Sequence, residues 1–389
     1  MLFSVTRGQV LAILNDGPEL QEVSVEIEGE SAPQRAYNYP SLFRPLQVGD
    51  RVILNTAAVK LGLGTGGRHF VVPDYEAPET PQFPGHIMKL RYTPWQFPVL
   101  AAEEEASPFH AELVGEGVQD KTGESLLAGV PVVAAPLHSM LPGVILGFRS
   151  IWGDCARIAY IMTDGAALPL VLSNLVRDLK QKNLLQATIT AGHAFGGDYE
   201  AVSIPSAIAV AKKAVRADLI IVALGPGIVG TGTTYGFSGI EQSWVIDLAA
   251  RLGGIPIAAP RISGADARPR HRGISHHTLT ILNLANNPAH LALSRRIPRE
   301  LTEVIEGQLR GDQRLAKHYW HWTDETPAAQ LFEVYDIKVR SMGRNVQDDP
   351  GFFQSSAAAG FLAAKALQGQ LRDLPPVFKD AGIPDKTFE

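Results

Sequence analysis

Five short apolar runs constrain this chain more than any other feature: "GVPVVAAPL" (129–137), "ARIAYIMT" (156–163), "LQATITA" (185–191), "ADLIIVAL" (217–224) and "GIPIAA" (254–259). The first is a continuous apolar run of the kind found in strands covered on both faces, as in a parallel sheet, and the others read as further strands. Between them stand segments with helical spacing. These are "LPGVILGFRSI", "LPLVLSNLVRDLKQK" with Leu168, Val171, Leu172, Leu175 and Leu179 on one face, "PSAIAVAKKAVR", and "IEQSWVIDLAARLG". The alternation predicts an α/β fold with a mostly parallel, doubly wound, Rossmann-like sheet. Beyond the fifth run, helices are expected near 297–309 and 355–369, around a strand "LFEVYDIKV" (331–339).

The first seventy residues follow a different pattern. "VTRGQVLAIL", "QEVSVEIEGE" and "DRVILNT" are short and rich in β-branched residues, with turn residues between them, and predict a β-rich, barrel-like region. Gly49-Asp50 before "RVILNT" fits a corner of a small barrel. A glycine-rich stretch (62–70) and the proline-laden "PDYEAPETPQFPG" then read as an extended connection. The expected division is a β-rich region over 1–105 and an α/β domain over 106–389, with the last fifteen residues loosely held.

Composition narrows the function classes. A chain of 389 residues with a formal net charge of −5 lacks the basic excess of a nucleic-acid or membrane-surface binder, so any anion site must be local. The single cysteine, Cys155, excludes an intramolecular disulfide and a thiolate-rich zinc site, and a small buried role is expected for it. Arg7 interrupts the first apolar stretch, no small-residue cleavage site follows, and no run has the ~18 apolar residues of a membrane span. A cytoplasmic location is expected.

Ligands of open parallel sheets bind beyond the carboxyl ends of the strands. All five runs end in chemistry-bearing loops: "PLHSMLPG" with His138; "TDGAALP" with Asp164; "AGHAFGGDYE" with His193 and Asp198; "GPGIVGTGTTYGFSG"; and "RISGADARPRHRGISHH". Any one such loop is ordinary, because turns and helix caps use the same residues. Five on one edge point to a ligand.

The fourth loop satisfies G-x-G-x-x-G at Gly225, Gly227 and Gly230. No helix follows at once and no acid ends the next strand, so a dinucleotide site is disfavoured. A phosphate or other anion cradle, using Thr231, Gly232 and Thr233 as well, is expected instead. In the fifth loop, the span from Arg261 to His277 carries four arginines and one acid, a local charge of +3. Arg268, Arg270 and Arg272 are read as the anion clamp. Ser275 is a plausible helix cap. Asp164, His193, Asp198, His276 and His277 are the candidate proton carriers. A divalent metal would draw on His138, His193, Asp164, Asp198 and His276 if the loops converge; adjacent His276 and His277 make a poor chelating pair alone on a helix or a strand. No P-loop and no G-x-S-x-G occur, and Ser139 and Ser275 gain nothing from standing beside histidines.

Seven of these stretches, "VGDRVILNTAAVKLGLGTGGRHFVV", "GHIMKLRYTP", "PLHSMLPG", "YIMTDGAALPL", "TAGHAFGGDYEAV", "LGPGIVGTGTTYGFSG" and "RPRHRGISHHT", together with "SMGRNVQDDPGFFQSSAAAG", resemble a bacterial family described only as a domain of unknown function. The resemblance covers nearly the whole chain and implies no activity, cofactor or catalytic residue. It does imply that the β-rich start belongs with the α/β part. The expectation is an enzyme acting on a small anionic metabolite, phosphorylated ones included, with cofactor unknown and a homo-oligomer as the assembly. A non-catalytic ligand sensor or assembly protein, and a metal-dependent hydrolase, are the alternatives.

Overall fold

The structure is a computed structural model describing residues 4–63, 65–72, 85–114 and 123–377. It divides into two compact units, Met1–Phe83 and Pro84–Glu389. The proline-rich connection at 73–84 and the chain beyond 377 lie outside the described residues.

The first unit is a closed barrel of β1 (Val5–Asp16), β2 (Gln21–Ile27), β3 (Gln34–Asn38), β4 (Arg51–Asn55) and β5 (Arg68–Val72), in the order β1-β2-β3-β5-β4. Alternation along β2 turns Val23, Val25 and Ile27 inward onto Val10 and Leu54. β1 pairs with both β2 and β4, and two register shifts along it provide the bend that closure needs. Gly49 turns the corner before β4 at a φ of 96°, its N–H donating to the Val10 carbonyl at 2.8 Å. A Cβ there would strain the backbone. A short helix, α1 (Ala57–Lys60), follows β4.

The second unit opens with the hairpin β6 (Ile87–Lys89) and β7 (Phe97–Val99) and a single turn, α2 (His110–Leu113). Lys89 and Ala102 are bonded to Gly192 and Glu200. The stretch expected to close the β-rich region at 105 is therefore part of the second unit. The main elements follow as β8 (Pro131–Ala135), α3 (Leu141–Trp152), β9 (Ile158–Thr163), α4 (Asn174–Gln181), β10 (Ala187–Ala191), β11 (Tyr199–Ala201), α5 (Ile204–Lys213), β12 (Leu219–Leu224), α6 (Gln242–Arg251) and β13 (Ile255–Ala258). A two-stranded ribbon, β14 (Ile262–Ser263) and β15 (Gly273–Ile274), leads into α7 (His276–Leu284), β16 (His290–Ser294), α8 (Arg299–Gly311), β17 (Tyr319–Thr323), α9 (Ala328–Val334) and α10 (Pro350–Leu367).

Eight strands form one all-parallel sheet in the order β11-β10-β9-β12-β8-β13-β16-β17. Each central strand is buried along its whole length and splits its side chains between two cores. Val132, Ile161 and Val222 face α5, α6, α7 and α8; Val133, Tyr160 and Ile221 face α3, α4, α9 and α10. This is an α/β fold with helices on both faces of the sheet, as the apolar runs predict. Both sheet edges are covered: Ala101 bridges to Glu200 beside β11, and Pro376 bridges to His321 beside β17.

α10 is buried over nearly its whole length and crosses α3 at glycines. A Cβ on Gly147 would collide with the Ala357 carbonyl oxygen, and one on Gly360 with that of Val144. The two backbones thus approach more closely than side chains would permit.

Three expectations need correction. Residues 331–339 do not form a strand: Leu331 and Phe332 lie on α9, which packs against α10. β16 and β17 were not foreseen. Cys155 is exposed instead of buried. Among the described residues, no helix is long and apolar enough to cross a membrane.

Candidate functional site

The chain leaves β8 and β9 toward the face of α3 and α4, and leaves β12 and β13 toward the face of α6 and α7. Because β9, β12, β8 and β13 are successive neighbours, exits alternate between faces, the arrangement that in open parallel sheets places ligands at the carboxyl ends. The loops of these four strands, with the loop after β10 beside them, hold the groups described next.

At the end of β9, the buried hydroxyl of Thr163 donates to Glu241, which stands just before α6. Asp164, the next residue, accepts from the backbone N–H of His193 at 3.0 Å. Burial pushes the Glu241 carboxyl up to about 7; the Thr163 hydrogen bond opposes this and the negative charge of Asp164 adds to it. Gly165 leaves room here, since a Cβ on it would come within 3.2 Å of Glu241 Oε2.

The glycine-rich segment after β12 forms a hairpin and not a nucleotide fingerprint. Ser238 and Val229 bond to each other, Thr231 N–H donates to Gly236 O at 2.7 Å, and Gly230 bridges to Phe237. The hydroxyls of Thr231 and Thr233 bond to one another at 2.9 Å, and Thr231 also bonds to the Gly236 carbonyl, so they serve the loop itself. Gly225 permits close approach to the Ala167 carbonyl, while Gly227 and Gly232 adopt positive φ. One face of the hairpin meets the fifth loop: a Cβ on Gly230 would contact the His277 ring at 3.6 Å, and one on Gly232 the Arg270 guanidinium at 3.8 Å.

In the fifth loop, the β14–β15 ribbon folds the chain back so that His271 approaches His276 and His277, the first two residues of α7. Ring centroids are 4.3 to 5.1 Å apart, and one nitrogen from each ring lies within 4.8 Å of the others. The pair expected to diverge converges, because a helix's first turn does not hold its side chains against a preceding turn. Ser275 explains the register: its hydroxyl caps α7 and sits 2.8 Å from His271 Nδ1. His277 lies flat on Phe237, with 4.0 Å between centroids and 7° between planes. Burial, with help from the nearby arginines, lowers His276 and holds His271 near 4 and His277 near 3. All three imidazoles are uncharged at neutral pH.

Beside this group, Asp266 receives Arg261 and Arg268 at 2.9 Å and Arg344 at 3.5 Å. Asp349 takes Arg344 at 3.3 Å and the Ser263 hydroxyl at 2.6 Å. Arg268, expected in an anion clamp, is therefore committed to Asp266. Arg272 lines a separate cleft of about 340 Å³ with Glu300, Asp348 and Asp349. Arg270 is exposed and makes no ion pair among the described residues.

Three other candidates have structural duties. His138 sits in a directional chain: Val176 N–H donates to Ser173 Oγ (3.1 Å), whose hydroxyl reaches His138 Nε2 (2.6 Å), while His138 Nδ1 meets Tyr160 (3.1 Å), whose hydroxyl donates to Leu224 O (3.0 Å). That chain requires a proton on Nδ1, and burial, which lowers the ring's pKa to about 4, keeps Nε2 free to accept from Ser173. His193 accepts the Leu90 N–H at Nδ1, 3.1 Å. Asp198 pairs with Thr188 and Lys180, beside the start of β10 and away from the carboxyl edge.

The structure thus joins His276 and His277, with Arg270, Gly230 and Gly232 against them. It sets Asp164 beside Glu241, and leaves out His138, Asp198, Arg268 and Arg272. Sequence reasoning missed Glu241 and the role of Asp266, Arg261, Arg344 and Asp349. The available signal was an acid at the helix start after a glycine-rich loop. A family model described as a protein of unknown function (DUF3866) matches residues 35–360, and the chain belongs to that family. No curated protein matches the chain.

Proposed function

We propose that the protein is an enzyme performing acid–base chemistry on a small anionic metabolite at the carboxyl edge of its sheet, between the exits of β9 and β13. This would be a Rossmann-like use of a parallel sheet. One observation carries the reading: the single segment 225–241 meets Thr163 through Glu241 at one end, and His277 and Arg270 through Gly230, Phe237 and Gly232 at the other. A carboxyl with a pKa near 7 is suited to both taking and returning a proton at neutral pH. Arg270 supplies a fixed positive charge that no carboxylate among the described residues neutralises, matched to a substrate phosphate or carboxylate.

Thermal-shift measurements with phosphorylated and carboxylated metabolites against their uncharged analogues test this. Anions are expected to stabilise the protein, Arg270→Gln to weaken any such ligand tenfold or more, and Glu241→Gln to retain binding while abolishing turnover. Equal responses to charged and uncharged compounds, or a ligand indifferent to Arg270→Gln, refute the reading.

A further inference from the structure

We propose that His271, His276 and His277 bind a divalent transition-metal ion of the zinc type, with the remaining coordination position open to water or an anionic oxygen. The inference rests on the convergence of three rings and is independent of the proton chemistry assigned to Glu241.

Their nitrogens already lie within 4.8 Å of one another. An ion held at 2.0–2.1 Å by tetrahedral imidazoles needs nitrogens about 3.3 Å apart, a closure that small side-chain rotations supply. A second observation points to a ligand: the Nε2 atom of half-buried His276 is shielded from solvent and has no hydrogen-bond partner among the described residues. Such a nitrogen is an anomaly in a packed protein unless something outside the chain satisfies it.

The neighbours orient the other two rings, as second-shell groups do in metal sites. Ser275 holds His271 at Nδ1, leaving Nε2 available, and Phe237 fixes the plane of His277. The donor set is nitrogen alone, which suits zinc, cobalt, nickel or copper and not magnesium or calcium. Three protein ligands leave a zinc-type ion one position short of its usual four. Asp266 and Asp349 offset part of the positive charge of Arg261, Arg268 and Arg344, and exposed Arg270 favours an anion as the fourth ligand.

The test uses the full chain without a polyhistidine tag, stripped with a chelator and titrated with Zn(II) and Co(II). One equivalent is expected per chain, with the strong visible bands of tetrahedral Co(II) and no thiolate charge-transfer band. His276→Ala and His271→Asn are each expected to weaken Zn(II) at least a hundredfold with the circular dichroism unchanged, while replacing the exposed His86 has no effect. The spectrum of the unaltered chain decides even where a variant misfolds. Hydrated Co(II) bands, no stoichiometric uptake, or uptake that survives both substitutions would overturn the assignment. None of these results bears on the Glu241 titration.

Discussion

The Lys89 ammonium, 1% exposed, lies 3.0 Å from the Glu200 carboxylate and donates to the Gly192 carbonyl at 2.9 Å. Glu200 is held further by the Gly196 N–H and the Thr190 hydroxyl. Burial raises the Glu200 pKa, and Lys89 pulls it back. The pair fastens the β6–β7 hairpin to the loop after β10. Lys89→Met removes one partner and strands a buried carboxylate, which is expected to destabilise by about 3–5 kcal/mol. The double variant Lys89→Met/Glu200→Gln should recover much of that loss. Urea unfolding decides; a single-variant loss under about 1 kcal/mol would show that the pair does not hold the hairpin.

Glu241 should leave its mark on the pH dependence of stability. Below pH 4.5 the carboxyl is protonated in folded and unfolded chains alike; between 4.5 and about 7 only the folded chain retains the proton. Stability attributable to this group therefore declines as pH rises through that window and is level above it. Tyr160 and Asp164 are the ionisable groups coupled to it. Glu241→Gln should gain on the parent protein between pH 5 and 8, by on the order of 2–3 kcal/mol. Carbon-13 NMR of the carboxyl gives the direct check, and a midpoint near 4.5 would refute the shift.

His138 works in the opposite sense. Its folded pKa of about 4 lies below the ordinary 6.5, so acidification from 6.5 to 4 protonates the unfolded chain first and stability falls across that range. His138→Gln should flatten this part of the acid-unfolding profile. At pH 7 it should still destabilise by about 1–3 kcal/mol, because Tyr160 and Ser173 lose a partner. An unchanged acid limb would mean that the ring is not held neutral.

Two glycines on helices should respond with opposite signs. Gly147→Ala drives a methyl into the Ala357 carbonyl at the α3–α10 crossing and is expected to cost about 1–3 kcal/mol or more. Gly307→Ala on α8 meets nothing within 4 Å and should stabilise by about 0.5–1 kcal/mol. Thermal denaturation of both variants suffices, and a neutral Gly147→Ala would contradict the backbone-to-backbone contact.

The central strands were legible because β8, β9, β12 and β13 are buried on both faces and so carry nearly unbroken apolar runs, and β10, with buried Thr188 and Thr190, is rich in β-branched residues. β17 was not, because "YWHWT" mixes histidine with large aromatics; there His321 is paired at 2.9 Å with His290 of β16, itself a strand that opens on a histidine. Leu331 to Val339 alternates like a strand yet starts as a helix, since Pro327 ends in extended backbone before it and Phe332 packs edge-on against Phe353 of α10. At the candidate site, the carboxyl-edge rule located the loops, and spacing could not assign their partners. Nothing in the sequence shows that Asp266 will gather three arginines, or that the ribbon will fold His271 back onto α7.

The seating of α10 sets an order on how this protein is made. β8 is the first strand of the sheet to be synthesised, yet the helix that helps cover one of its faces begins at Pro350. At about 5–20 residues per second, the ribosome needs on the order of 10–40 seconds to travel between them. During that interval α3 and α4 leave part of this apolar face uncovered. Until that last long helix emerges, this face is where the unfinished chain is most open to non-native association.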